Sequence, residues 1–191
     1  QAVDDRRVLL GELPLATGDG EAVEGSAKDA GVDLLRSLAD RIDMLKLDLR
    51  ELGREPGDRP VVAALEWLDP PFIGGHWVPQ MIELAGGVDL LGMPGEKSRT
   101  AEWDELRASE PDVVILMQCG YDLASAAGEA DDYADELKSL AASRLLASDA
   151  TAFFSRPGPR LVDGLEQLAH ALHPTLVPEP ESGRLVEVEL D

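Results

Sequence analysis

The sequence predicts an α/β fold: a three-layer α/β/α lobe with a mainly parallel sheet, preceded by a long connecting helix. Short apolar runs alternate with helical patterns from residue 61 onward. Such alternation is typical of a parallel sheet that is covered by helices on both faces. With 191 residues, 44% of them hydrophobic, the chain can bury the core of one domain.

The first part of the chain is predicted to be mostly helical. Residues 1–25 form a remnant with a short helix over Gln1–Leu13 and a loop rich in Gly and Glu over Thr17–Gly25. A long connecting helix occupies residues 26–55, with Ser26 as its cap. Its apolar residues recur at intervals of three and four, so that one face covers a surface. This stripe consists of Leu34, Leu35, Leu38, Ile42, Leu45 and Leu49.

The lobe is predicted to span residues 56–177, with an acidic tail over 178–191. Its strands are expected at Val61–Leu65, Val88–Leu91, Asp112–Gln118 and Arg144–Ala147. Its helices are expected at Val78–Ala85, from Ser98 or Thr100 to Ser109, at Asp131–Ser143 and at Pro157–Leu172. In the loosely held tail, Leu185–Leu190 alternates like an edge strand.

Charge and composition exclude several partners. The 38 acidic residues exceed the 17 basic ones, and the net charge of -21 disfavours nucleic acid and anionic membranes. The 4 lysines against 13 arginines fit a halophilic protein, although a high-GC genome gives the same bias. A single cysteine allows no intrachain disulfide. The chain shows neither a membrane span nor a signal segment, so we expect a processed or truncated product.

The segment Glu66–Pro79 is the most informative part of the chain. It holds three of the eight aromatic rings within eleven residues, together with a histidine. We expect it to be a loop between a strand and a helix, where the carboxyl end of a parallel strand meets ligands. The alternative is a hydrophobic plug that fixes the loop to the helix. The Pro-Pro and Gly-Gly pairs favour a shaped binding loop.

The order of motifs resembles the C-terminal lobe of the substrate-binding proteins of ABC importers for cobalamin and siderophores. The resemblance covers roughly residues 26–177. It is carried by Trp67–Phe72, Gly75–Pro79, Glu83–Gly87, Trp103–Leu106, Pro111–Met117 and Phe153–Arg160. Proteins of this family have two lobes joined by one long helix. Here at most 25 residues precede that helix, so the chain resembles the helix plus the second lobe without the first. Divergence, a fragment, or a half supplied by another chain would each explain this.

The resemblance also implies a ligand-binding wall. Its ligand-facing positions correspond to Phe72 and to the doublet Phe153–Phe154. Trp67 and Trp77 extend that wall, or else pack in the core. Aromatic rings suit the flat apolar faces of a macrocycle or metal chelate.

Four further residues are candidates for the site. His76 is a possible metal ligand toward the cobalt or iron of a chelate, or it bonds locally. Cys119 is a soft metal ligand or, as we favour, a small buried hydrophobe. Tyr121 follows the central strand at the same edge of the sheet as His76. Arg156 either binds an anionic group at a helix start or pairs with a nearby acid.

No catalytic motif is found: there is no serine nucleophile elbow, no metalloprotease His-Glu pair and no phosphate-binding glycine loop. We therefore expect a binding protein without an intrinsic cofactor, not an enzyme. The resemblance implies an extracytoplasmic component of an ABC importer that captures a cobalamin-like compound or ferric chelate and presents it to a permease. The alternative is a structural or interaction subunit that has lost transport binding. A weaker hypothesis is a redox or metal-handling enzyme that uses His76 and Cys119.

Overall fold

The computed structural model describes residues 24–50 and 59–190. The helix predicted at Gln1–Leu13 lies outside these ranges, as does the stretch in which the connecting helix was expected to end.

The connecting helix, α1, spans Glu24–Arg50 and is about 40 Å long at 1.5 Å per residue. The predicted cap at Ser26 is wrong, because the helix already includes Glu24. Three members of the predicted stripe are buried, namely Leu38, Ile42 and Leu45. Leu34 belongs to the same stripe but remains 47% exposed. The helix therefore packs against the lobe through these three residues in its second half.

Six strands form one mixed sheet. They are β1 Val62–Leu68, β2 Pro71–Ile73, β3 Arg99–Thr100, β4 Val113–Leu116, β5 Arg144–Ala147 and β6 Val186–Glu187. Their order in the sheet is β3-β2-β1-β4-β5-β6. The three central strands, β1, β4 and β5, run parallel, while β2, β3 and β6 add antiparallel edges. The predicted parallel core is thus confirmed, and the antiparallel pairs lie on either side of it.

Helices cover both faces of the sheet. They are α2 Val78–Leu84, α3 Trp103–Ala108, α4 Leu123–Glu129, α5 Ala134–Ser139, α6 Ala150–Phe153 and α7 Arg160–Leu172, with a 3-10 turn over Ala130–Tyr133. One core cluster joins the sheet to α1, α2 and α7, and a second joins it to α3, α4 and α5. Since alternate residues of β1 enter alternate clusters, both faces are buried and the three-layer prediction is confirmed.

The segment Glu66–Pro79 is not a simple loop from strand to helix, and this corrects the prediction. β1 continues through Leu68, and Pro71–Ile73 turns back as β2 to pair with it antiparallel. The turn contains a cis peptide bond between Asp69 and Pro70. The aromatic residues at the start of the segment therefore stand on a two-stranded hairpin.

Other element boundaries also differ from the predictions. Val88 makes only an isolated bridge to Val61, so the strand expected at Val88–Leu91 is not formed. The residues expected to start α3 instead pair with β2 as β3, and α3 begins at Trp103. The helix predicted over Asp131–Ser143 is divided into a 3-10 turn and α5. α7 begins three residues after the predicted start, at Arg160.

The tail packs more closely than expected. Val177, the last residue of the predicted lobe, is buried in the core, and within the tail Val186–Glu187 pairs with β5 as the predicted edge strand.

Candidate ligand-binding site

A cavity of about 640 Å³ opens at the carboxyl end of β1. Four segments build it: the β1–β2 hairpin with the Gly-Gly turn that follows, the residue before β3, the turn after β4, and the end of α6. Its lining consists of Glu66, Trp67, Phe72, Gly75, His76, Trp77, Ser98, Cys119, Phe154 and Ser155. Five of these are residues that the sequence predicted as ligand-binding: Trp67, Phe72, His76, Trp77 and Phe154.

The aromatic wall is organised by the hairpin and by the core. Trp67 and Phe72 are partners across β1 and β2, which places their side chains on one face. Trp77 lies at the start of α2, and its indole Nε1 donates to the carbonyl of Phe154 over 2.8 Å. Phe154 itself is buried. The part of the wall formed by Trp77 and Phe154 is therefore fixed to the core, whereas Trp67 at the edge of the wall is 37% exposed.

The turn at Gly75 brings the hairpin segment into close contact with the backbone of Ser98, which also lines the cavity. A Cβ at Gly75 would lie 2.2 Å from the amide nitrogen of Ser98, so only glycine permits this close approach. The next residue, His76, has a φ of 56°, an uncommon value for a side chain other than glycine. It is fixed by two backbone hydrogen bonds, from His76 N to the Glu96 carbonyl over 2.6 Å and from Gly95 N to the His76 carbonyl over 2.7 Å. The imidazole is exposed at the cavity edge, 5.7 Å from the Trp77 ring.

Glu66 is the charged group of the cavity that the sequence analysis missed. Ser98 Oγ donates to its Oε2 over 2.5 Å, and the Gly75 amide donates to its Oε1 over 3.4 Å. A carboxylate at the end of an otherwise buried strand was the available signal, because such positions usually carry apolar side chains.

Cys119 follows β4 and lines the same cavity. The expectation of a small buried hydrophobe is wrong, because the residue is exposed. Its Sγ lies 4.0 Å from Glu66 Oε2. Partial burial of the thiol, followed by the negative charge of Glu66, raises the pKa of Cys119 above its ordinary value. A protonated thiol is a poor nucleophile and a poor metal ligand, so the surroundings do not activate Cys119.

Three of the predicted residues do not line the cavity. Tyr121 packs edge-on against Trp67, with ring centroids 5.6 Å apart, and its hydroxyl donates to Glu129. Phe153 lies beneath the Arg160 guanidinium, whose Cζ is 5.4 Å from the centroid of the phenylalanine ring. Arg156 is exposed. Successive residues at a helix end differ in direction, so of the Phe153–Phe154 doublet only Phe154 lines the cavity.

No group of three or more His, Cys, Asp or Glu residues within 24–50 and 59–190 is arranged to hold a metal ion. His76 as a ligand to the metal of a bound chelate remains a prediction.

In the described parts of the chain, no helix has both the length and the apolar character that crossing a bilayer requires.

Comparison with known proteins places the fold among substrate-binding proteins of importers. An ABC-type Fe³⁺-hydroxamate transport protein of Saccharomonospora viridis is 22% identical, with a TM-score of 0.58 over 77% of this chain and 50% of that one. A periplasmic heme-binding protein of Pseudomonas aeruginosa is 21% identical, with a TM-score of 0.57 over 86% and 58%. The periplasmic vitamin B12-binding protein BtuF of Vibrio cholerae is 18% identical, with a TM-score of 0.56 over 75% and 54%.

The chain therefore has the fold found in the substrate-binding proteins of ABC importers, and the resemblance noted in the sequence is confirmed at the level of the fold. It spans about half the length of these proteins, which fits a single lobe. No protein-family model matches the sequence. No curated protein matches it either.

Proposed function

We propose that the chain is the ligand-binding lobe of an ABC-importer component that captures a cobalamin-like compound or ferric chelate and presents it to a permease. The observation that carries this proposal is the cavity of about 640 Å³ at the carboxyl end of β1, with Trp67, Phe72, Trp77 and Phe154 on its walls. Ligands of open α/β sheets bind at this edge. Solved proteins of the same fold include a heme-binding protein, a vitamin B12-binding protein and a member of an Fe³⁺-hydroxamate transport system.

The walls suit a large flat ligand. An aromatic side chain that buries its face against a ligand contributes on the order of 1.5–3 kcal/mol. Phe72 and Trp67 stand side by side on the hairpin, and Trp77 is held to the Phe154 carbonyl. If a macrocycle contacts two or three of these rings, little conformational entropy is lost, because both the aromatic side chains and the macrocycle have few rotatable bonds.

The cavity has one open side, since Trp67, His76 and Cys119 are all exposed. We propose that a second lobe, in the same parent protein or in another chain, closes over this side. Binding by this chain alone is then weaker than binding by the closed clamp. Because similar solved proteins are periplasmic binding proteins for heme and vitamin B12, we also propose that this protein acts outside the cytoplasmic membrane, beside a permease.

The alternative, a structural or interaction subunit without transport binding, is not favoured, because the similar solved proteins are binding or transport proteins. The absence of an activated thiol at Cys119 likewise gives no support to the enzyme hypothesis.

The test is equilibrium binding of three probes: cyanocobalamin, hemin and the ferric trihydroxamate ferrioxamine B. Tryptophan fluorescence and ligand absorbance report binding, because Trp67 and Trp77 line the cavity. Phe72→Ala should weaken binding of the best probe about tenfold or more, the equivalent of one lost ring contact. Met44→Ala, at a 65% exposed position on α1, is the matched control and should leave affinity unchanged. If none of the probes binds, or if Phe72→Ala binds as well as the original chain, the proposed function is wrong.

A further inference from the structure

We infer that the cavity selects chelates with a neutral or cationic, hydrogen-bond-donating periphery over chelates that carry carboxylates, and that Glu66 is the residue that sets this selectivity. The inference rests on the proposed function and narrows its ligand class.

The charges around the cavity are one-sided. Among the residues that the structure describes, the cavity lining contains neither lysine nor arginine, and its ionisable side chains are Glu66, His76 and Cys119. The two cations adjacent in sequence are placed elsewhere. Lys97 lines a separate cavity beside Met93, and Arg156 is exposed and absent from the lining. An anionic ligand would find neither a lysine nor an arginine on these walls.

Glu66 is held in a defined position. Ser98 Oγ donates to one carboxylate oxygen over 2.5 Å and the Gly75 amide to the other over 3.4 Å. Cys119 Sγ also lies 4.0 Å from Oε2, the oxygen that accepts from Ser98. Oε1 accepts only from the Gly75 amide in the described contacts, so it has a lone pair with which it can accept from a ligand. An amide N–H or an ammonium group satisfies that acceptor, and a hydrogen bond to a charged group is about twice as strong as a neutral one.

The aromatic surroundings strengthen this discrimination. Trp67, Phe72 and Trp77 exclude water around Glu66 once a ligand is seated, which weakens the screening of its charge. A ligand carboxylate brought into the same space would be desolvated beside a like charge, and such juxtapositions are strongly disfavoured. The net charge of -21 adds a longer-range repulsion toward anions.

The experiment uses a matched pair of ligands with one metal core: ferrioxamine B, which carries a free ammonium group, and the same chelate with that amine succinylated, which carries a carboxylate instead. The original chain should bind the ammonium form about tenfold more tightly, as expected for exchanging attraction for repulsion near one partly desolvated carboxylate. Glu66→Gln keeps the size of the side chain but removes the charge, and should reduce this preference to about twofold. The amide oxygen of the glutamine can accept from the Gly75 amide, while its NH2 group donates to Ser98 Oγ, because a hydroxyl can also act as acceptor. Glu83→Gln, at an exposed position on α2, should leave the preference as it is.

The outcomes separate the two proposals. Equal or tighter binding of the succinylated form by the original chain would overturn the selectivity while leaving the proposed function in place. A preference that survives in Glu66→Gln would overturn the role of Glu66. If the chain binds neither form of the ferric chelate, nor hemin, nor cyanocobalamin, then the proposed function itself is wrong. Measurement at 0.1 and 0.5 M NaCl separates the local effect from the net charge, because only the longer-range part is strongly screened.

Discussion

Two cavities of similar volume differ completely in chemistry. The cavity at the end of β1 measures about 640 Å³ and is walled by aromatic rings around one carboxylate. A groove of about 590 Å³ lies between α1, α7 and the segment 177–182, and its lining carries four acidic side chains with Arg41 among them. Volume alone therefore does not identify a site. The aromatic walls of the first cavity face open space. In the groove, by contrast, Arg41 already pairs with two of the four acidic side chains, Asp163 and Glu166.

The groove is best understood as a contact between elements. The Arg41 guanidinium binds Glu166 through two parallel hydrogen bonds of 2.7 Å, and Asp163 over 2.6 Å. These bonds fix α1 to α7 beside the buried residues Leu38, Ile42 and Leu45. Since the Arg41 guanidinium is hydrogen-bonded to two carboxylates of the same chain, its charge is already neutralised within the fold.

The largest expected effect is at the turn that shapes the first cavity. Gly75→Ala places a methyl group 2.2 Å from the Ser98 amide, so the turn or residues 97–98 must move. We expect the free energy of unfolding to fall by about 1–3 kcal/mol, as for overpacking elsewhere, measured by urea denaturation. Gly128→Ala, where a Cβ meets nothing within 4 Å, is the control and should be neutral or slightly stabilising. Equal stability of the two variants would show that the first cavity is not rigidly defined.

A smaller effect is expected in the groove. Arg41→Ala breaks the pairs with Asp163 and Glu166 and should lower the free energy of unfolding by about 1 kcal/mol. It should leave the affinity for chelates unchanged. The control is Arg36→Ala, since Arg36 pairs only with Asp33 in the described contacts and both side chains are more than 70% exposed. That change should cost less than about 0.5 kcal/mol. A loss of chelate binding in Arg41→Ala would contradict the distinction between the two cavities.

The smallest expected effect concerns the charge inside the first cavity. Because burial and Glu66 raise the pKa of Cys119, the thiolate fraction at pH 8 is lower than for an ordinary cysteine. Glu66→Gln removes one of the two causes, so the pKa falls and alkylation by iodoacetamide at pH 8 becomes modestly faster. The rate as a function of pH, followed by mass spectrometry, should shift to lower pH in the variant. An unshifted profile would mean that the Glu66 charge does not reach the thiol.

The sequence predicted the fold better than the details of the site. Asp112–Gln118 and Arg144–Ala147 are recognisable as buried strands because they are continuous and apolar, and both form central parallel strands. The hairpin at Trp67–Phe72 was missed because two prolines normally mark a loop and not a paired strand. The short strand Arg99–Thr100 carries no pattern of its own, since two residues pairing at an edge are defined only by their neighbour.

By itself the sequence determined the alternation of strands and helices, the amphipathic connecting helix and the concentration of aromatic rings near residue 70, because each of these depends on the spacing of side chains along the chain. Only the tertiary structure decided which rings share a wall. Phe154 faces the cavity and Phe153 does not, and Glu66 meets Ser98 across 32 residues of chain. Such placements depend on how the segments after β1, β4 and β5 meet in space, which no local pattern records.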